Sequence, residues 1–576
     1  MTTRTPQSGD DSDASARDVS PADGDSAASH ASSSEQSTSH ASSSEQSTSH
    51  ASTPDESGST ADGGRTTSRR SYLASLGAVG LLSGGASSLV GRASAASSSR
   101  IEHLKDQYST VVDVADAGAD TTGEESITPV LDAHAGDDTL FVFPPGRYRM
   151  NEEFRHTGFD HFGMVGDDAT IVPGDYWEFE EPNRRLFRLG VYHNPGEDLL
   201  VKDFTIDQTA AHTGIRTIEA QVSTGLEVRN IDIVGKHDSG TWGPGLFDVM
   251  DPDGTGTVER FRAPAGAEWV SNTPNDGNLW RGPSGIMVSR WHEGTVELVD
   301  CQLGGFPDNG VYAGNANGTV VIRRGVFRNS HASNLRIGGR HSKIVGATVI
   351  VDDNHDHFHN QRAIRLDQGS WLQVLDSTVQ LDKPNGNGIT VLDGVESAKI
   401  HNSSVIQRTD RTNQAIVIEE EAGPTYVQKV HVDIDGSGNA IEICGGNQPG
   451  EVGVTNVRVT GSAPGSVFRN AIRCERDNCE FRGLEIDQPG SDYRRALEIN
   501  ADDCLVYGGT FETTHHPIVV NGDSAWIESI YADSYSDYEA LRLNDSCSDA
   551  KVKDNTLVGG VLDAGSDGLS MYGNDI

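Results

Sequence analysis

The chain of 576 residues carries 85 acidic against 45 basic side chains, a formal net charge of −40. Such a surplus argues against nucleic acid as a partner, because phosphate binding needs a basic face, and it exceeds what solubility alone requires. Spread along the whole chain, it predicts adaptation to near-saturating salt, with an acidic Ca²⁺-binding adhesin in ordinary salt as the alternative.

Residues 1–68 are Ser, Ala, Asp, Glu, Thr, Gly and His with almost no apolar content, and the ten residues from Ala31 recur residue for residue from Ala41. A segment of that composition cannot offset its chain entropy, which predicts a disordered leader. Ser68-Arg69-Arg70-Ser71-Tyr72-Leu73, a modest apolar run to Val90 and then Ala93-Ser94-Ala95 follow. Together, over 69–95, they resemble a twin-arginine export signal. The resemblance implies the twin-arginine export machinery as a partner of the precursor, a mature chain starting near Ala96, and a secreted, extracellular or surface-associated product. The other reading is a chance arginine pair before a membrane anchor, but Gly and Ser interrupt the run and suit it poorly to stable spanning. No later stretch approaches spanning length, so no membrane span is expected in the mature form.

The β-rich remainder, 96–576, opens with Val111-Val-Asp-Val-Ala-Asp-Ala-Gly-Ala-Asp120, a short amphipathic stretch from Ile127 to Leu131, and Leu140-Phe-Val-Phe-Pro-Pro-Gly-Arg-Tyr-Arg-Met150. Phe162-Gly-Met-Val-Gly-Asp-Asp-Ala-Thr-Ile-Val172 comes next. This succession resembles the opening of the pectate-lyase-like superfamily. The resemblance implies a short helix capping a β-helical rod whose first coil starts at the Pro-Pro-Gly-x-Tyr strand, and it says little about activity, since the superfold hosts many.

Four of the seven tryptophans, Trp242, Trp269, Trp280 and Trp291, fall close together, three of them in an interval of about 235–283 that reads as an excursion from the coil rhythm. Long insertions on regular scaffolds are usually functional. Exposed indoles suit stacking on pyranose faces, and a self-packed loop core is the alternative. Asp251-Pro-Asp-Gly-Thr-Gly256 resembles part of a Ca²⁺ loop but lacks its distal acid and reads rather as a turn, so Ca²⁺ stays an alternative and no motif demands a cofactor.

From Ile286 onward the pattern small, apolar, variable, apolar occurs twelve times. Its anchors are Ile286, Val311, Leu335, Ile364, Ile389, Ile416, Ile441, Ile472, Leu497, Ile518, Leu541 and Leu569, spaced 21 to 31 residues apart. Units of this kind cannot bury their apolar face alone and must stack. A second strand series begins at Val296, Val320, Ile344, Leu372, Val430 and Val454. With β-branched residues at period two and turns at Asn, Asp and Gly, each unit reads as one coil of a right-handed parallel β-helix, an all-β solenoid with a short N-terminal capping helix.

Six cysteines show no Cys-x-x-Cys spacing. Cys479 and Cys504 head matching segments 25 residues apart and are expected as neighbours in adjacent coils, either disulfide-bonded or as buried thiols.

The outward positions between paired anchors form a ladder in which Tyr312, Arg336 and Arg365 follow one another, with His331, Lys343 and Arg362 nearby. Elimination on a polyuronide needs a cation to neutralise the uronate carboxylate and a base for the C5 proton. Arg336 and Arg365 fit the first role, and Lys343 or His331 the second. The Lys343 to Arg365 separation is loosely similar to the Lys and Arg pair of alginate- and chondroitin-cleaving β-helix lyases. Tyr312, Trp280, Trp291 and Arg362 are the expected substrate contacts. Ion pairing of both arginines with acids on neighbouring coils is the structural alternative. Hydrolysis would instead need two carboxyls, drawn from Asp308, Asp352, Asp353 and Asp367. His355, His357 and His359 alternate as metal ligands would, or as a polar turn. The sequence therefore predicts an extracellular protein active on polysaccharide, an acidic one by preference, acting as a lyase. A glycoside hydrolase on the same scaffold and a noncatalytic surface or matrix carbohydrate-binding protein are the alternatives.

Overall fold

The computed structural model describes residues 101–180, 184–275, 279, 281–353, 361–446, 450–465 and 470–576. The leader, the twin-arginine segment, Trp280 and the three alternating histidines lie outside the described residues.

The rod starts one coil earlier than the Pro-Pro-Gly-x-Tyr segment suggests, because Thr110–Asp113 and Thr122–Ser126 already stack beneath Thr139–Phe143 and Gly146–Met150. Strands Thr110–Asp113, Thr139–Phe143 and Phe162–Pro173 stack in parallel with Val111, Leu140 and Gly163 in register. The buried Tyr148 donates its hydroxyl to the Pro144 carbonyl at 2.7 Å, which locks the turn that the two prolines begin. A helix over Thr128–His134 has Pro in its first turn and buries Leu131, together with Ile127 just before it, in the same apolar core as Phe141, Phe143 and Phe154. It covers the apolar end of the first coil, which would otherwise face water.

Each coil then contributes two or three strands, the two runs of the larger sheet being continuous in coils such as those of Leu199–Gln208 and Leu505–Thr513. One joins a 16-stranded parallel sheet and the others join a 28-stranded sheet, giving a parallel β-solenoid of about 16 turns. In the 16-stranded sheet Ile286, Val311, Leu335, Ile364, Ile389, Ile416, Ile441, Ile472, Leu497, Ile518 and Leu541 are stacked in register as the sequence predicts. All eleven are fully buried. The column extends upstream through Phe154, Phe187, Ile218 and Gly245. Glycine is accommodated there because the Phe247 ring fills the space, 2.7 Å from where a Cβ would stand.

Two expectations need correction. Leu569 is not the twelfth anchor: Val561 pairs with Leu541, while the neighbouring strand Ser570–Tyr572 belongs to the other sheet. The interval 235–283 is not a single excursion either. Gly245–Val249 and Thr255–Ala263 are regular coil strands within it, so the irregular segment narrows to 264–285.

The two strands of the larger sheet meet at a corner where one residue per coil takes positive φ, including Asp203, Asn230, Arg260, Asp300, Arg324, Asp376, Asn402, Asn456 and Asp554. Asn and Asp tolerate this conformation because their short polar side chains bond locally. They also bond along the rod, as Asn402 Nδ2 does to Asp376 Oδ1 at 2.6 Å. Arginine has no such preference. Arg324 is held by a bidentate pair with Asp300, both contacts at 2.7 Å.

Cys479 and Cys504 are buried neighbours as expected, joined through the Leu505 N–H to the Cys479 carbonyl, and all six cysteines are free thiols. Cys474 joins them, donating with Cys504 to the Arg476 carbonyl at 3.3 and 3.6 Å. No described helix is long and apolar enough to cross a membrane.

Candidate functional site

The outer face of the 16-stranded sheet brings Tyr312, Arg336 and Arg365 into direct register. The Arg336 guanidinium lies 4.6 Å from the Tyr312 ring centroid, and the Tyr312 hydroxyl accepts from Asn315 Nδ2 at 3.0 Å. Two residues beyond Arg365, on the same face by the period of a strand, stands Asp367. Its side chain is only 7% exposed and takes both cations, Arg336 at 2.8 Å and Arg365 at 2.6 Å. Gly314 makes room for this bridge, since a Cβ there would come within 2.5 Å of Asp367 Oδ2. Burial opposes the charge on Arg336, yet Asp367, Tyr312 and Asp308 hold its pKa above the ordinary value.

Along the flank where the chain enters these strands, Asp308, Ala332 and Arg362 follow coil upon coil, through Ala332 N–H to the Asp308 carbonyl at 2.9 Å and Arg362 N–H to the Ala332 carbonyl at 3.2 Å. Burial pushes the Asp308 carboxyl above the usual carboxylate range, against a hydrogen bond from Ser284 Oγ at 2.9 Å and the charges of Arg336 and Arg281. Arg362 reaches Glu419 at 3.6 Å. Burial raises Glu419 too, with Arg362 and Arg365 opposing and Asp393 adding to the rise.

His331 sits at the turn before strand Ser333–Arg340. Its ring centroid is 4.7 Å from that of Trp269, and its carbonyl receives Arg281 Nη1 at 3.5 Å, so the irregular segment reaches over to this coil. It also lines a cavity of about 590 Å³ with Asp352 and Asp353. There Arg328 and Asn329 hold the Asp352 carboxyl below its ordinary range although burial works the other way, and Lys383 lies 3.8 Å from Asp353. These two aspartates thus lie apart from the arginine ladder.

Lys343 also lies apart. Its strand, Lys343–Val345, pairs with Thr319–Arg323 and Leu372–Leu375 in the larger sheet, so it faces away from Arg336 and Arg365. Trp291 is exposed and stacks on Tyr192, with centroids 4.7 Å apart and ring planes 10° from parallel; Trp291 follows the strand next to that of Tyr312, and Tyr192 follows one four strands away from it. The Asp251 segment is a turn closed by Asp253 N–H on Asp251 Oδ1 at 3.0 Å, and no described group of three or more His, Cys, Asp or Glu is placed to hold a metal. Glu419 escaped the sequence reading. The signal for it was its place two residues past Val417, the same offset at which Asp367 follows Arg365.

No family model and no curated protein matches this chain. Among solved structures it is similar to the surface protein and adhesin PfbA of Streptococcus pneumoniae, at 10% identity and TM-score 0.31, over 81% of this chain and 99% of that one. It is similar to an α-1,3-glucanase of Streptomyces thermodiastaticus at 13% identity and TM-score 0.25, over 81% and 69%. It is also similar to the A-module of the mannuronan C-5 epimerase AlgE4 of Azotobacter vinelandii at 10% identity and TM-score 0.21, over 80% and 98%.

Proposed function

We propose that this chain is exported and acts outside the cell on a polysaccharide laid along the outer face of the 16-stranded sheet, and that hydrolysis takes precedence over elimination. The observation that carries the choice is the bridge made by Asp367. One buried carboxylate accepts from both Arg336 and Arg365, so the pair no longer offers two unengaged guanidiniums to a uronate. Asp308, raised by burial, faces the same Arg336. Two carboxyls in contrasting environments, one fit to give a proton and one bound by cations, are what glycoside hydrolysis requires. Asp308 is assigned as the proton donor and Asp367 as its carboxylate partner. With Lys343 on the other sheet, elimination would draw its base from His331 or from Tyr312, whose ring centroid lies 4.6 Å from the Arg336 guanidinium.

The purified protein, in high salt, is to be incubated with alginate, polygalacturonate and neutral glucans while new reducing ends and ultraviolet absorbance are followed. Reducing ends without absorbance are expected, with Asp308→Asn and Asp367→Asn each lowering turnover about a hundredfold or more and Tyr312→Phe retaining most of it. An absorbing, unsaturated product that vanishes with Tyr312→Phe would establish elimination instead. Retained binding without turnover on any glycan would make the face a noncatalytic binding surface.

A further inference from the structure

Five strands beyond Arg365 in the same sheet, on the flank that also carries Asp308 and Arg362, a second group of titratable and aromatic side chains comes together from three successive coils. Tyr493 and Arg495 precede strand Leu497–Ile499, His515 and His516 precede Ile518–Val520, and Tyr538 precedes Leu541–Leu543. The rings enclose one another: His515 lies 5.0 Å from Tyr493, 4.4 Å from Tyr538 and 4.4 Å from His516. Tyr493 closes the group toward solvent and is 54% exposed, whereas the histidines are 8% and 3% exposed.

Hydrogen bonds set the two imidazoles in opposite senses. Arg495 Nε–H donates to His515 Nδ1 at 3.3 Å, so the His515 ring proton is on Nε2. His516 Nδ1 lies 2.9 Å from the Glu539 carbonyl, an acceptor only, so there the proton is on Nδ1 and Nε2 is an acceptor. Burial, the neighbouring imidazole, Arg495 and Arg542 push the His515 pKa down to about 4, and burial lowers His516 as well, which keeps both rings neutral near pH 7. Adjacent rings therefore offer one donor and one acceptor beneath an exposed aromatic wall, with neither Nε2 engaged by a described residue.

We propose that Tyr493, Arg495, His515, His516 and Tyr538 form a second sugar-binding site, in which a pyranose packs on Tyr493 and two adjacent hydroxyls meet the donor and acceptor of the histidine pair. Neighbouring hydroxyls on a sugar ring each donate and accept, which the paired imidazoles match, and the aromatic face takes the apolar side of the ring. The site rests on the reading of the chain as glycan-active, and it lies about 24 Å along the rod from Arg365 at about 4.8 Å per coil. A polysaccharide parallel to the axis would touch both.

Affinity electrophoresis of the full protein in gels containing alginate, polygalacturonate, dextran or xylan tests it. Retardation in at least one gel is expected. Tyr493→Ala and His515→Phe should weaken it at least about fivefold, as loss of roughly one net contact does, while Tyr493→Phe, which keeps the ring, should behave as the parent. Tyr493 is exposed enough that its removal leaves folding intact, and a melting curve checks this for His515→Phe. Absence of parent retardation in every gel, or equal retardation of parent, Tyr493→Ala and His515→Phe, overturns the site. Turnover that needs Asp308 alongside unchanged binding by Tyr493→Ala would remove this site and leave the proposed function standing. Binding that needs Tyr493 in a protein that turns over no glycan would do the reverse.

Discussion

At Glu219 one buried carboxylate meets three guanidiniums, Arg185 at 2.8 Å, Arg188 at 3.0 Å and Arg216. Burial alone would raise its pKa, yet Arg216, Arg185 and Arg188 bring it down to about 2 from an ordinary value of 4.5. A carboxylate with a lowered folded-state pKa contributes stability that is complete above its unfolded value and is lost as pH falls through the folded one. Acid unfolding should therefore draw on this residue between about pH 5 and pH 2. Glu219→Gln should flatten that part of the stability profile and cost about 3 kcal/mol or more at pH 7, where it takes the carboxylate from the buried Arg185 and Arg216 and the half-buried Arg188. Parallel loss of stability by parent and variant across that range, followed by denaturant titration, would refute the assignment. The same scale shows what a sequence conceals. The order Tyr312, Arg336, Arg365 is legible because side chains alternate with period two. That Lys343 faces elsewhere is not, because a coil has more than one strand and alternation does not tell which sheet a strand joins. Nor is Arg476 legible as a core residue. It is buried because its guanidinium donates to five backbone carbonyls, among them Cys444 at 3.1 Å one coil away and Ala422 at 2.8 Å two coils away.

Among the elements, the anchor strands are the most readable because each must present apolar residues inward at a fixed place or leave a void in the stack. The one misplaced anchor marks the limit of that logic. Val561-Leu-Asp563 puts a charged residue where the pattern expects an apolar one, and it is tolerated because Asp563 is exposed. Leu569 fits the average spacing better but lies just before Ser570–Tyr572, a strand of the other sheet. The turns before the anchors vary in length from coil to coil, which is why Asp308 was found only as one acid among several and the histidine pair at 515 and 516 was not found. Strand Ile441–Ile443 tests the register directly. Ile441 is fully buried between Ile416 and Ile472, while Glu442 points outward and lies 3.9 Å from Arg473. Ile441→Asp should bury an unpaired carboxylate and cost several kcal/mol, at least about 3, whereas Glu442→Ala should stay within about 1 kcal/mol. Equal melting temperatures for the two variants would mean that the strand is turned the other way.

For the molecule as a whole, a net charge of −40 and parallel stacking act on each other. A solenoid places equivalent positions of successive coils about 4.8 Å apart, so like charges at one position repel at close range along the rod. Asp487, Glu512 and Asp533 stand in register in this way on adjacent strands. Burial raises the Glu512 pKa, and its two acidic neighbours raise it further. The screening length is about 10 Å in 0.1 M salt and about 3 Å in 1 M. Physiological salt therefore leaves such neighbours poorly screened, and salt above about 0.4 M brings the length below their spacing. A melting temperature that keeps climbing between about 0.2 and 2 M KCl, rather than levelling off at the lower end, is the expected behaviour. General salting-out of apolar surface would give a similar trend, so the decisive measurement is the slope in Glu512→Gln, which removes the middle charge of one ladder and should show both a higher melting temperature in low salt and a smaller gain on adding KCl. Identical slopes for parent and variant would separate the acidity of this chain from its stability, and would leave the stacked carboxylates without a part in any adaptation to salt.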